Sequence, residues 1–79
     1  MKVIVKVYDG SKYERESKKI AELEYDIEGF EIIHSADDED IERNYTEEEL
    51  DPYDEYLKIY LEDGETATFR NSRVDMFRW

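Results

Sequence analysis

Residues 56–70 read YLKIYLEDGETATFR, and this stretch consists of two alternating runs on either side of Glu62-Asp63-Gly64. A two-residue Asp-Gly turn would place the apolar residues of the first run opposite polar residues of the second. A three-residue loop with Gly64 in the left-handed conformation instead creates one apolar face, which comprises Leu57, Ile59, Leu61, Ala67 and Phe69. The sequence therefore predicts a hairpin with that loop and an exposed opposite face, formed by Tyr56, Lys58, Tyr60, Thr66, Thr68 and Arg70.

Strand-like alternation continues on both sides of this hairpin. Residues 2–8 (KVIVKVY) alternate valine with other β-favouring residues and predict a first strand. Residues 18–27 fit either a helical stripe or a strand, and their adjacent aromatic and β-branched residues favour the strand. Gly29 is expected to break this strand before a second short one over residues 30–34. Residues 73–79 alternate weakly and predict a final strand.

A short helix is predicted between the strand groups. Thr46-Glu47-Glu48-Glu49 matches a capping box, in which the threonine hydroxyl accepts from the Glu49 amide. Pro52 ends this helix early, and so short a helix must be pinned to the sheet by Tyr45, Leu50 and Tyr53. The expected fold class is α+β, mainly β: a small antiparallel sheet of five or six strands with one short helix, in a single domain over residues 1–79.

The composition limits the class of protein. The chain has 79 residues, a formal net charge of −12 and no cysteine, so disulfides and thiolate zinc sites are excluded. The absence of cysteine favours a cytoplasmic protein over a secreted mini-protein. The opening residues, MKVIVKVYDG, lack the long apolar run of a signal peptide or membrane span.

The negative charge is concentrated in one part of the chain. Residues 1–19 contain six basic and three acidic residues, whereas residues 37–55 contain eleven acidic residues and Arg43 as the one base. Uniformly acidic chains with few aromatics tend to be disordered, but 14% of the whole chain is aromatic and apolar alternation flanks the acidic part. The pattern therefore indicates a folded scaffold with a negative surface. Residues 37–55 are called the acidic segment below.

The sequence carries no catalytic motif. His34 is the one imidazole, none of the four serines lies in a nucleophile elbow, and a glycine-rich phosphate loop does not occur. We therefore expect no enzymatic activity and no cofactor. The run Asp37-Asp38-Glu39-Asp40 suggests calcium, but a loop starting at Asp38 has Arg43 where an EF-hand requires glycine. A weak divalent-cation site outside any known motif remains an alternative.

Two groups of acidic residues are candidates for binding a partner. On a strand, alternate residues lie on one face about 6.6 Å apart, which would align a carboxylate row composed of Glu22, Glu24, Asp26 and Glu28. The acidic segment would add a denser patch with interleaved tyrosines: Asp37, Asp38, Glu39, Asp40, Glu42, Tyr45, Glu47, Glu48, Glu49, Asp51, Tyr53, Asp54 and Glu55. The simpler interpretation is a solvated surface that serves solubility. Mutual repulsion of this much local charge nevertheless destabilises a small fold, which favours a functional reason.

These stretches give the chain a class resemblance. A small, cysteine-free, acidic chain with this carboxylate row, DDED at 37–40 and EEELDPYDE at 47–55 resembles phage-encoded DNA-mimic inhibitors, including anti-CRISPR and anti-restriction proteins. The resemblance is compositional and covers residues 20–55. It implies a basic nucleic-acid-binding protein or nuclease complex as partner, in the host cytoplasm, with no direct nucleic-acid or membrane contact. The alternative is a general acidic interaction module, such as an antitoxin-like or regulatory partner.

Overall fold

A computed structural model describes residues 1–34, 38, 39, 41 and 54–78. Its elements with described bounds are β1 (Lys2–Tyr8), β2 (Lys19–Ile33), β3 (Tyr56–Leu61), β4 (Thr66–Arg70), a 3-10 turn (Asn71–Arg73) and β5 (Val74–Arg78). The strands form one antiparallel sheet in the order β4-β3-β2-β1-β5. The prediction of a mainly β fold with a small antiparallel sheet of five or six strands is therefore confirmed, with five strands among the described residues. The predicted helix at Thr46 lies outside the described residues.

The hairpin at Gly64 has the predicted three-residue loop. Leu57 pairs with Phe69 and Ile59 with Ala67, and Gly64 has a φ of 89°. Two backbone hydrogen bonds close the loop. Leu61 N donates to Glu65 O at 2.9 Å, and Gly64 N donates to Leu61 O at 3.1 Å. Only glycine adopts this left-handed conformation without a steric cost.

The prediction that Gly29 breaks the second strand was wrong. β2 continues through this residue, and its register shifts between Ile27, which pairs with Leu61, and Gly29, which pairs with Tyr60. Glu28 is therefore the extra residue of a bulge, which bends a strand without ending it. Residues 19–26 of β2 pair with β1, whereas residues 27–33 pair with β3.

The sheet curls around a hydrophobic cluster on one of its faces. A flat sheet would hold its edge strands β4 and β5 about 19 Å apart, at roughly 4.8 Å per neighbouring pair. Residues of both edge strands nevertheless pack on one cluster, which comprises Val3, Val5, Ile27, Leu57, Ile59 and Val74. Phe69 of β4 also meets Tyr25 of β2 edge to face, with ring centroids 6.3 Å apart. The core therefore lies on the concave face, inside the bend that the bulge introduces.

The opposite face of β3 differs from its prediction. Tyr56 and Lys58 were expected to be exposed, but both are buried. Lys58 Nζ lies 3.2 Å from Asp38 Oδ1, so the chain near Asp38 reaches this convex face. Ile41 is also fully buried. Part of the acidic segment is therefore packed as structure, and Tyr56 is not available as an exposed aromatic contact for a partner.

Candidate acidic interface

Three members of the carboxylate row share the convex face of β2, as the strand interpretation predicts. Glu22, Glu24 and Asp26 alternate with residues whose side chains point to the core, and all three are exposed. Glu28 is exposed as well, but it lies at the bulge. The row is therefore regular over three residues, and the bend of β2 interrupts it at the fourth.

Lysines of the neighbouring strand lie opposite this row. Glu22 pairs with Lys6 and Asp26 with Lys2, while the uncharged Ile4 lies opposite Glu24. Cross-strand neighbours of opposite charge attract each other. The lysine charges therefore weaken the negative potential of the carboxylate row. The convex face of β1 and β2 therefore carries mixed charge, which the sequence pattern of β2 alone did not reveal.

Glu22 has the strongest ionic contact in the row. Its Oε1 accepts a hydrogen bond from Lys19 Nζ at 2.6 Å. This hydrogen bond, followed by the charges of Lys19 and Lys6, holds the pKa of the Glu22 carboxyl below its usual range. Glu22 is therefore ionised at neutral pH, and the positive charges of Lys19 and Lys6 partly offset its negative charge.

The start of the acidic segment is anchored by an ion pair. Both carboxylate oxygens of Asp38 accept hydrogen bonds from Lys58 Nζ, at 3.2 and 3.3 Å. The Lys58 side chain is only 9% exposed and that of Asp38 is 23% exposed. Water screens such a pair less than it screens a surface pair. Asp38 therefore has a structural role in addition to any contact with a partner.

The end of the acidic segment is held at the start of β3. Asp54 Oδ2 lies 3.7 Å from Arg70 Nε, and Glu55 Oε1 lies 3.2 Å from His34 Nδ1. Asn71 also donates twice to Glu55, from its backbone N to the carbonyl at 2.9 Å and from Nδ2 to the carboxylate at 3.2 Å. Both ends of the segment therefore contact the sheet.

Among the remaining predicted contact residues of the acidic segment, the structure describes Glu39 alone. Glu39 is exposed. The others lie outside the described residues: Asp37, Asp40, Glu42, Tyr45, Glu47, Glu48, Glu49, Asp51 and Tyr53. Their assignment to a partner-binding surface stays a prediction from the sequence.

Sequence reasoning missed two acidic residues near the row. Glu62 and Asp63, at the tip of the β3–β4 hairpin, line a shallow groove of about 300 Å³ with Glu24, Tyr25, Asp26 and Leu61. Glu62 Oε1 also lies 3.4 Å from the terminal nitrogen of Met1. In the sequence these two residues indicated only a turn. Their place beside the row follows from the pairing of Ile27 with Leu61, which is a tertiary contact.

Neither a cluster of metal-binding side chains nor a membrane-spanning helix occurs among the described residues. Within residues 1–34, 38, 39, 41 and 54–78, no three His, Asp or Glu side chains converge on a position that could hold a metal ion. In the same part of the chain, no helix has the length and apolar character needed to cross a bilayer.

Comparisons with known proteins add no relative. No family model, curated protein or solved structure matches this chain.

Proposed function

We propose that this protein is an acidic inhibitor that occupies the nucleic-acid-binding surface of a basic partner, such as a nuclease or defence complex in a host cytoplasm. Duplex DNA presents about one negative charge per 1.7 Å of its axis, and its binders carry complementary lysines and arginines. A rigid carboxylate surface competes for the same groups. Electrostatic steering accelerates such an encounter by about 10- to 10³-fold.

The observation that carries this proposal is the anchoring of the acidic segment at both ends. Eleven carboxylates within nineteen residues repel one another, and a free loop would spread them. Here Asp38 is bound to Lys58, and Glu55 is bound to Asn71. Contacts that fix these two ends on the sheet reduce the entropy lost on binding a partner.

A different observation favours the second candidate, a general acidic interaction module without DNA mimicry. Lys2 and Lys6 lie opposite Asp26 and Glu22, so the carboxylate row is not an uninterrupted array of negative charge. A phosphate backbone has no such cations within it. Under this alternative, the acidic segment contacts a basic surface that does not bind nucleic acid.

Competition with DNA distinguishes the two candidates. Immobilised protein would be incubated with nuclease-treated bacterial lysate, and retained proteins would be identified by mass spectrometry. Each purified partner would then be titrated with duplex DNA in the presence and absence of this protein. Mimicry requires that the protein and DNA exclude each other, whereas a ternary complex would establish the interaction module instead.

Charge-neutralised variants locate the contact surface. The triple variant Asp37→Asn, Glu39→Gln, Asp40→Asn should lower the association rate several-fold and weaken its dependence on salt between roughly 50 and 200 mM. Asp38 is left unchanged because its loss would also disturb Lys58. A matched control, Glu14→Gln with Glu16→Gln, changes exposed acids of the β1–β2 loop. Equal association rates for the wild type and the triple variant would remove the segment from the interface.

A further inference from the structure

Among the described residues, the second half of β2 has a hydrogen-bonded neighbour on one side only. Residues 27–33 pair with β3, and β1 accompanies β2 only as far as Ile27, whose amide donates to Met1 O at 2.8 Å. Beyond that point, no described residue pairs with the other edge of β2. Residues 28–33, called the β2 overhang below, therefore present backbone groups that a further strand could bind.

The overhang also exposes two large apolar side chains. Phe30 and Ile32 lie opposite Ile59 and Leu57, hence on the concave face, yet they are 49% and 38% exposed. Phe77 of β5 is equally exposed at 48%, but Lys6 Nζ lies 4.9 Å from the centre of its ring. Phe30 has no such ring or cation contact among the described residues. Exposed apolar side chains beside an open edge are typical of a docking site.

The pairing of β1 with β2 shows which residue types a strand beside β2 carries. Along the first half of β2, β1 places Val3 and Val5 on the core face beside Tyr25 and Leu23. On the convex face, β1 places Lys2 and Lys6 opposite Asp26 and Glu22, with Ile4 between them. β2 therefore pairs with a strand that has apolar residues on one face and two basic residues on the other.

The overhang repeats this pattern at one position, Glu31, whose neighbours on the convex face are Gly29 and Ile33. Phe30 and Ile32 form its apolar face, and Glu31 lies on the convex face, where it accepts a hydrogen bond from the Tyr60 hydroxyl at 2.9 Å. A strand added here would place apolar side chains beside Phe30 and Ile32, and basic ones beside Glu31. Backbone hydrogen bonds would supply affinity, and the alternating side chains would supply specificity.

We propose that the β2 overhang binds an extended segment of a partner protein by strand addition, and that this segment alternates apolar and basic residues. The basic character of the partner rests on the function proposed above. A second copy of this chain is the less suitable occupant, because pairing would bring together two molecules that each carry a charge of −12.

A synthetic peptide tests this site without DNA. The probe is an acetylated, amidated hexapeptide of alternating lysine and valine, added to the full chain labelled with ¹⁵N. In the free protein, amides of the overhang that point away from β3 should exchange rapidly with solvent, and they should become protected with the peptide. If all overhang amides are already as protected as those of β1 in the free monomer, the edge is not open and the proposal fails.

Two control peptides separate strand addition from simple charge attraction. A hexapeptide of alternating glutamate and valine should not bind measurably. A lysine–valine peptide with a central proline keeps the charge but loses a backbone donor, so it should bind at least about tenfold more weakly. If the proline peptide bound as tightly as the peptide without proline, binding would depend on charge alone, which would overturn strand addition.

Variants of the chain complete the test. Phe30→Ala with Ile32→Ala should weaken peptide binding by about tenfold or more, because both truncations remove buried contact area. The matched control Ile20→Ala removes an isoleucine that is 64% exposed elsewhere on β2, and it should change affinity less than twofold. All variants should melt cooperatively, since these side chains lie largely outside the core.

The outcomes separate this site from the proposed function. Loss of DNA competition with retained peptide binding would refute mimicry and leave the overhang as a binding site. The reverse result would refute the overhang alone. A wild-type dimer in sedimentation that Phe30→Ala with Ile32→Ala returns to monomer would assign the edge to a second copy and overturn the proposal.

Discussion

Acidic residues on the convex surface of β2 differ in exposure and in ionic contacts from those that reach β3. Glu24 on β2 is exposed and lies opposite an uncharged isoleucine. Asp38, by contrast, binds the nearly buried Lys58, close in sequence to the fully buried Ile41. Both belong to runs that look equally acidic in the sequence. The comparison shows that Glu24 is available as surface charge, whereas Asp38 also forms an ion pair with a buried lysine of β3.

The largest expected effect concerns Ile41. Ile41→Ala should lower the free energy of unfolding by roughly 2–5 kcal/mol, because truncation of a buried isoleucine leaves a cavity. Ile20→Ala, at an exposed position, should change it by less than about 0.5 kcal/mol. Urea denaturation followed by tryptophan fluorescence measures both. Similar midpoints for the two variants would mean that the acidic segment does not contribute to the packed structure.

An intermediate effect is expected at the ion pair. Asp38→Asn should destabilise the fold by about 2 kcal/mol, below the range for fully buried pairs because Asp38 remains partly exposed. Glu24→Gln on β2 should leave the denaturation midpoint nearly unchanged. Adding Lys58→Met to Asp38→Asn should restore part of the loss, since the buried charge is then removed. A double variant less stable than Asp38→Asn alone would contradict this account of the pair.

The smallest expected effect concerns pH. The folded-state pKa of Glu22 is lowered from its usual value of 4.5 by the hydrogen bond from Lys19. Its contribution to stability is therefore present above that usual value and is lost as pH falls through the lowered folded-state pKa. Glu22→Gln should flatten the acid limb of the melting temperature against pH, whereas Glu24→Gln should not. Parallel acid limbs for the wild type and Glu22→Gln would show that the contact with Lys19 has no influence in solution.

Local patterns predicted much of the sheet. The hairpin loop followed from matching apolar residues across Glu62-Asp63-Gly64, because side chains on a strand alternate with a period of two and a slip by one residue mixes the faces. Strand character over residues 18–27 followed from their adjacent aromatic and β-branched residues, which favoured a strand over a helical stripe. The sequence also contained a signal for the bulge, but it was interpreted as the end of a strand. Alternation of apolar residues changes phase between Ile27 and Phe30, and one inserted residue produces that change without ending a strand.

The sequence by itself determined the strand-rich fold, the hairpin register and the amount and position of negative charge, because each depends on residue type and near neighbours. Only the tertiary structure decided that Lys2 and Lys6 lie opposite the carboxylate row, that Lys58 is buried against Asp38, and that the overhang of β2 lacks a described neighbour. These features depend on which strands become neighbours and where each one begins. Pairing of strands distant in sequence is selected by burial of the shared core, and no local pattern of charge specifies it.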